Sequence, residues 1–291
     1  MASFKILDGA MGSELIRRGL TLPLHTWSAD ANITSPEMVE KIYREYVDAG
    51  ADYITANTFR TTLRAYKKTE AINPKTAARD SLYQAVELAK RAAGVSGKVV
   101  GSIAPLEDCY SAHLFPGRDA AIAEFAQLGE HLKRAGVDIL LLETMNSVAE
   151  TEAALIGTQK FSLPVWVSFV LKDDNHILSG DSISQAIEKV KNFSIDCIML
   201  NCNPLDRTLM AVENLLTNWP NQWGVYPNLG IGEPSHYGYI LHYEEMDRFL
   251  STMEKVIALG PSIIGTCCGS SPRHISKLFE LRKKYDLVSR V

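Results

Sequence analysis

Eight short apolar runs recur along the chain, and a segment of helical periodicity follows each of them. The runs fall at residues 6–8, 51–59, 98–105, 138–144, 164–170, 196–202, 223–228 and 263–267. The fourth is continuous, Ile139-Leu140-Leu141-Leu142, as expected of a strand in a parallel sheet covered on both faces. Start and stop signals mark the helices between the runs. Ser35-Pro36, Asn73-Pro74 and Ser271-Pro272 each offer a capping side chain and a proline at the first helical position, and Ser147 with Glu150 reads as a capping box. Gly50, Gly94 and Gly136 end helical stretches. Strict strand and helix alternation, repeated eight times without linker or low-complexity segment, predicts a (β/α)8 TIM barrel of the α/β class. One domain is expected over residues 1–291, since such barrels need about 250 residues. An open doubly wound sheet is the rival, but no G-x-G-x-x-G turn follows the first run.

In a barrel the C-terminal ends of all strands share one mouth, where active sites lie. The residues that end the runs therefore matter most: Asp8, Asn57, Glu143, Cys202, Asn228, Cys267 and Cys268. Cys267 and Cys268 are adjacent. Neighbouring side chains of a regular strand point to opposite faces, so both sulfurs reach one centre only where the strand breaks, as Gly265 and Gly269 suggest. Soft thiolates suit Zn2+, and Cys202 is the best third ligand because it too ends an apolar run. The sixth and eighth strands have one strand between them, a gap on the order of 10 Å that inward-leaning side chains can close.

Three thiolates without a fourth protein ligand leave an open metal position, which marks a catalytic site. A thiol substrate bound there loses its proton and stays nucleophilic, and the matching reaction is alkyl transfer to sulfur. Asp8 and Glu143 would then bind the ammonium of an amino-acid thiol by charge-assisted hydrogen bonds. Taken singly, each could equally cap a loop or pair with a Lys or Arg. Asn57 and Asn228 read more simply as loop-stabilising side chains. Cys197 lies within its strand, facing the core; Cys109 reads as a bystander near the mouth. His113, His236 and His242 lack metal-ligand spacing, and His274, one turn into the last helix, faces either the site or solvent.

Composition limits the partners. The chain has 46% hydrophobic and 22% charged residues with a formal net charge of -4, so no nucleic-acid footprint is evident, and Arg282-Lys283-Lys284 is the one short basic cluster. The first residues lack a charged region followed by a long apolar segment, and no apolar run nears the roughly 18 residues of a spanning helix. Five cysteines, an odd number, fit reduced thiols or a metal better than a disulfide framework. A cytoplasmic protein with small-molecule partners, no nucleic acid and no membrane contact is expected.

The stretches LDGAMGSEL, ADYITANTF, LLETM, LNCNP, VYPNLG and IIGTCCGSSPRHI, in this order across nearly the whole chain, resemble the homocysteine S-methyltransferase family, zinc-dependent barrels that methylate homocysteine to methionine. The resemblance implies that Cys202, Cys267 and Cys268 hold zinc, and that Asp8 and Glu143 contact the homocysteine amino group. Thr266 departs from the pattern, because the family usually has a second glycine before the cysteine pair.

Members of the family use S-methylmethionine, S-adenosylmethionine, betaine or a methylated corrinoid. The first strand starts near the N-terminus and the chain stops soon after its last helix, with no folate or cobalamin module, so a free sulfonium is expected, S-methylmethionine first and S-adenosylmethionine second. The long stretch from Gly230 to Tyr239, with Tyr226 before it and Tyr237 within it, either offers aromatic faces to that cation or is a plain surface loop. Two other readings compete: a hydrolase whose open zinc position holds water, and a non-catalytic barrel with a structural zinc.

Overall fold

A computed structural model describes residues 4–232 and 238–288. Eight parallel strands form one sheet: β1 (Lys5–Ile6), β2 (Tyr53–Ala56), β3 (Lys98–Ile103), β4 (Ile139–Met145), β5 (Val165–Phe169), β6 (Cys197–Asn201), β7 (Trp223–Tyr226) and β8 (Ile263–Ile264). Each pairs with its neighbours in sequence, and β8 pairs with β1. A parallel bridge between Leu7 and Tyr53 joins β1 to β2, with Asp8 N–H donating to Tyr53 O at 3.1 Å and Asp52 N–H to Ile6 O at 2.8 Å. These bonds complete the ring, as the alternation predicts for a TIM barrel.

Nine helices of seven or more residues accompany the strands among the described residues: α1 (Met11–Arg17), α2 (Pro36–Asp48), α3 (Pro74–Ala93), α4 (Arg118–Ala135), α5 (Val148–Thr158), α6 (Ile183–Val190), α7 (Leu205–Asn218), α8 (Met246–Ala258) and α9 (Pro272–Val288). None is long and apolar enough to cross a membrane. Their starts follow the sequence signals in part. Asn73 caps α3 by accepting Thr76 N–H, with Pro74 at the first position; Ser35 makes no side-chain cap bond. At α5 the capping box is only half formed. Ser147 Oγ accepts Glu150 N–H, but the buried Glu150 carboxylate instead accepts Leu106 N–H at 2.8 Å from the loop after β3. A buried amide needs an acceptor, and this demand from a neighbouring element overrides the local motif. The complete box lies at α6, between Ser182 and Gln185.

Side-chain alternation separates two apolar regions. The larger one lies between strands and helices. The other fills the barrel with inward side chains that include Leu7, Val100, Leu141, Trp166, Met199 and the buried Cys197, which is core as expected. Two residues further along β2 to β6, on the same inward face, the side chains turn polar: Thr55, Ser102, Glu143, Ser168 and Asn201. The C-terminal mouth therefore has a polar lining over an apolar plug.

The stretch after β7 departs from the expected loop. Gly230–Ile231 pairs antiparallel with His242–Tyr243 in a small two-stranded sheet. His236 and Tyr237 lie outside the described residues.

Candidate active site

β6 ends at Asn201, and Cys202 takes a left-handed conformation at φ 55°, which is uncommon without glycine. Its neighbours hold it there. Cys202 N–H donates to Tyr226 O at 3.0 Å. Asn203 ties the chain to the end of β5, accepting Leu171 N–H at 2.7 Å and donating to Phe169 O at 3.3 Å. Asn201 accepts from Ser168 Oγ at 2.6 Å and Thr144 N–H at 3.2 Å, and donates to Thr144 Oγ1 at 2.8 Å. Thr144, next to Glu143, is itself left-handed at φ 59°. One buried amide therefore fixes the ends of β4 and β6 together.

β8 stops at Ile264, and close approach to β1 shapes the backbone beyond it. A Cβ on Gly265 would lie 2.8 Å from Leu7 Cβ, and Gly269 is left-handed at φ 81°. Cys267 N–H donates to Pro227 O and Cys268 O accepts Leu229 N–H, both at 2.8 Å. This irregular backbone, in place of the alternation of a strand, brings the adjacent sulfurs to one side. Thr266 keeps φ outside the left-handed region, so its Cβ is accommodated, and its N–H donates to Asp8 O at 3.3 Å.

The sulfurs of Cys202, Cys267 and Cys268 lie within 4.8 Å of one another, a group that could hold a metal ion. Cys202 Sγ and Cys268 Sγ are 3.7 Å apart. Sulfurs about 2.3 Å from a tetrahedral ion stand about 3.8 Å from each other, so the spacing fits. The electrostatics fit as well. Hydrogen bonds from Cys267 and then Cys268 hold the Cys202 thiol well below its usual pKa, while bonding to Cys202 pushes the other two up. Without a cation, one thiolate is stable at the expense of its neighbours; a divalent ion removes that conflict.

At the same mouth Asp8 is buried and Glu143 half-buried. The Asp8 carboxylate accepts Thr55 N–H at 2.9 Å and Thr55 Oγ1 at 2.8 Å, and that of Glu143 accepts Ser102 Oγ. Neither pairs with a Lys or Arg among the described residues. Burial raises both pKa values, well above normal for Asp8 and to about 7 for Glu143, and the Glu143 charge adds to the rise at Asp8. Two desolvated carboxyls with hydrogen-bond donors but no counter-cation among the described residues are suited to an incoming ammonium.

Tyr110 was not singled out by the sequence. It stands on the loop after β3, and its hydroxyl lies 3.2 Å from Cys202 Sγ. The negative charge at Cys202, then burial, holds that hydroxyl protonated, so it donates to sulfur. No local pattern marks Tyr110, which is 92 residues from its partner. Asn201 had one signal, a polar residue at the inward end of an apolar run. Tyr226 offers no open aromatic face: it is 2% exposed, and its hydroxyl, beside Glu143, lacks a well-formed hydrogen bond.

The remaining candidates are structural. Asn57 is buried in hydrogen bonds with Ser28, Asn32 and Tyr43, and Asn228 accepts Gly230 N–H at 2.8 Å. Cys109 is buried outside the three-sulfur group, which pushes its thiol up to about 12. His274 bonds Ser271 and packs edge-on against Phe249, with burial lowering its pKa to about 4.

The Asn201 clamp is testable through stability. Asn201→Ala strands buried partners on Thr144 and Ser168, each costing about 1–3 kcal/mol, so a loss of about 2–4 kcal/mol is expected. Urea unfolding measures it, and an unchanged midpoint would contradict the clamp.

Fold and site together define a barrel enzyme with a sulfur-rich centre at its C-terminal mouth. Residues 5–281 match the family model for homocysteine S-methyltransferase, and the chain belongs to that family; it is a methyltransferase. The homocysteine S-methyltransferase of Escherichia coli (strain K12) is 28% identical over 302 residues, covering 94% of this chain and 93% of that protein. A selenocysteine Se-methyltransferase of Brassica oleracea var. italica is 26% identical, covering 94% and 87%. Among solved structures, the metallated form of the homocysteine methyltransferase MmuM from Escherichia coli superposes with a TM-score of 0.84 at 24% identity, covering 96% of each chain. Family membership favours methyl transfer over the hydrolase and the non-catalytic barrel.

Proposed function

We propose that the protein transfers a methyl group from a free sulfonium, S-methylmethionine foremost, to the thiol of homocysteine. The observation that carries this reading is the pairing of three convergent sulfurs with two carboxyls at one mouth, Asp8 and Glu143, that have no Lys or Arg partner among the described residues. Cys202, Cys267 and Cys268 would hold Zn2+, which when bound supplies a position where a thiol is deprotonated at neutral pH.

The chain's own residues supply orientation. Asp8 and Glu143 receive the amino-acid ammonium, with Thr55 and Ser102 fixing the two carboxyls. The acceptor sulfur is thereby directed toward the cysteine group. Tyr110 donates to Cys202 and so takes up part of the negative charge on the sulfurs. In the transfer, a lone pair of the acceptor sulfur forms the new S–CH3 bond while the C–S bond of the donor breaks. That electron pair stays on the donor sulfur and cancels its positive charge; the thiol proton is released to solvent. A charge that disappears calls for weak cation stabilisation in the ground state. Of the tyrosines near the sulfurs, Tyr110, 54% exposed although its hydroxyl is turned in toward Cys202, offers an aromatic face for it, whereas Tyr226 is buried.

Assaying four donors at equal concentration tests the assignment. Turnover with S-methylmethionine, slower turnover with S-adenosylmethionine, and none with betaine or methyltetrahydrofolate is expected. Activity with betaine alone would overturn the donor while leaving the sulfur chemistry in place.

A further inference from the structure

In the outer helical layer of the barrel, α3 and α4 leave a cavity of about 860 Å3 that the segment 61–68 borders. Its lining includes six cations, Arg64, Lys67, Lys68, Lys75, Arg79 and Arg134, against a single carboxylate, Glu124. Lys75, Arg79 and Tyr83 follow at four-residue spacing and share one face of α3. Buried Leu82 and Leu128 also line the cavity.

Neighbouring carboxylates answer four of the cations. Arg64 pairs with Glu107 and Glu124, Lys68 with Glu107, Arg79 with Asp80, and Arg134 with Glu130. Lys67 and Lys75 have no carboxylate partner among the described residues. Six cations against four carboxylates leave two positive charges, in a chain whose net charge is -4. The excess is local. The His131 ring in the same cavity has its pKa lowered by burial first, and Arg134, Arg79 and Lys75 push it further down against the pull of Glu130.

We propose that this cavity binds a small phosphorylated metabolite of the nucleoside polyphosphate class. The phosphates would meet Lys67, Lys75 and Arg79, and the less polar part would rest against Leu82, Leu128 and Tyr83. The volume is that of a small-molecule site, about 300–1,000 Å3, and Lys67, Lys75 and Arg79, although exposed, border one concavity where their fields add. No residue of the cavity belongs to the proposed methyl-transfer site, so the two readings stand or fall separately.

Isothermal titration of the metal-loaded protein with ATP, and separately with adenosine, tests it. Saturable one-to-one binding of ATP is expected, weakening as salt is added, with adenosine at least about tenfold weaker because it lacks the phosphates. The double variant Lys67→Glu/Lys75→Glu should lose at least about tenfold in ATP affinity while keeping the wild-type kcat/KM for methyl transfer. Both substitutions are at exposed positions, and circular dichroism verifies the fold. Absence of ATP binding to the wild type, equal binding to the double variant, or equal binding of adenosine would each overturn the proposal.

Discussion

Alanine at Cys202, Cys267 or Cys268 is expected to give a folded chain that has lost tight metal binding and methyl transfer together. Zinc held by a full set of protein ligands binds with about 10–16 kcal/mol. Divided among about four ligands, that is roughly 3 kcal/mol each, more than a hundredfold in affinity per sulfur removed. With three sulfurs converging within 4.8 Å of one another, each is expected to be necessary, and the three variants should behave alike. Metal analysis after dialysis, run beside a methionine-formation assay, measures both effects. Undiminished zinc in all three variants would remove the basis of the site.

Glu143→Ala separates acceptor binding from the metal. The variant should retain zinc and lose about 2–4 kcal/mol of homocysteine affinity, the scale for removing one partner of a buried charge pair. Loss of zinc with unchanged homocysteine binding would contradict the assignment. The pH dependence gives a second readout. Burial raises the Glu143 pKa from 4.5 to about 7, so in the unliganded protein its stability contribution is complete below the unfolded value and is lost as pH rises through about 7. Glu143→Gln should abolish that part of the loss. An incoming ammonium favours the ionised carboxylate, so homocysteine affinity in the wild type should rise as pH climbs through about 7, and the Gln variant should show a flatter profile. The same rise in both proteins would place the titrating group elsewhere, for instance at Asp8, which burial also raises.

Much of this architecture is written locally. The period-two alternation that makes Leu141 apolar and inward also makes Glu143 inward, so a carboxylate at the mouth is legible once β4 is recognised. Cys202, Cys267 and Cys268 are legible for the same reason: each follows an apolar run, and strand ends in a barrel share one rim. The half-formed box at Ser147 and Glu150 shows the limit of such reasoning. Its pattern is local, but the buried N–H of Leu106, 44 residues away, claims the carboxylate.

The number and order of the barrel strands, and the residues at their ends, are set by the amino-acid order, because strand alternation and helix starts depend on near neighbours along the chain. Packing in three dimensions was needed to bring Tyr110 to Cys202 across 92 residues and to lock Asn201 onto Thr144 across 57. It also gathered cations from 64–79 and Arg134 around one cavity while the chain is negative overall. These contacts arise where loops and helices meet in space. Side-chain hydrogen bonds act over about 3 Å and screened fields over about 10 Å, so these contacts form only once the barrel closes.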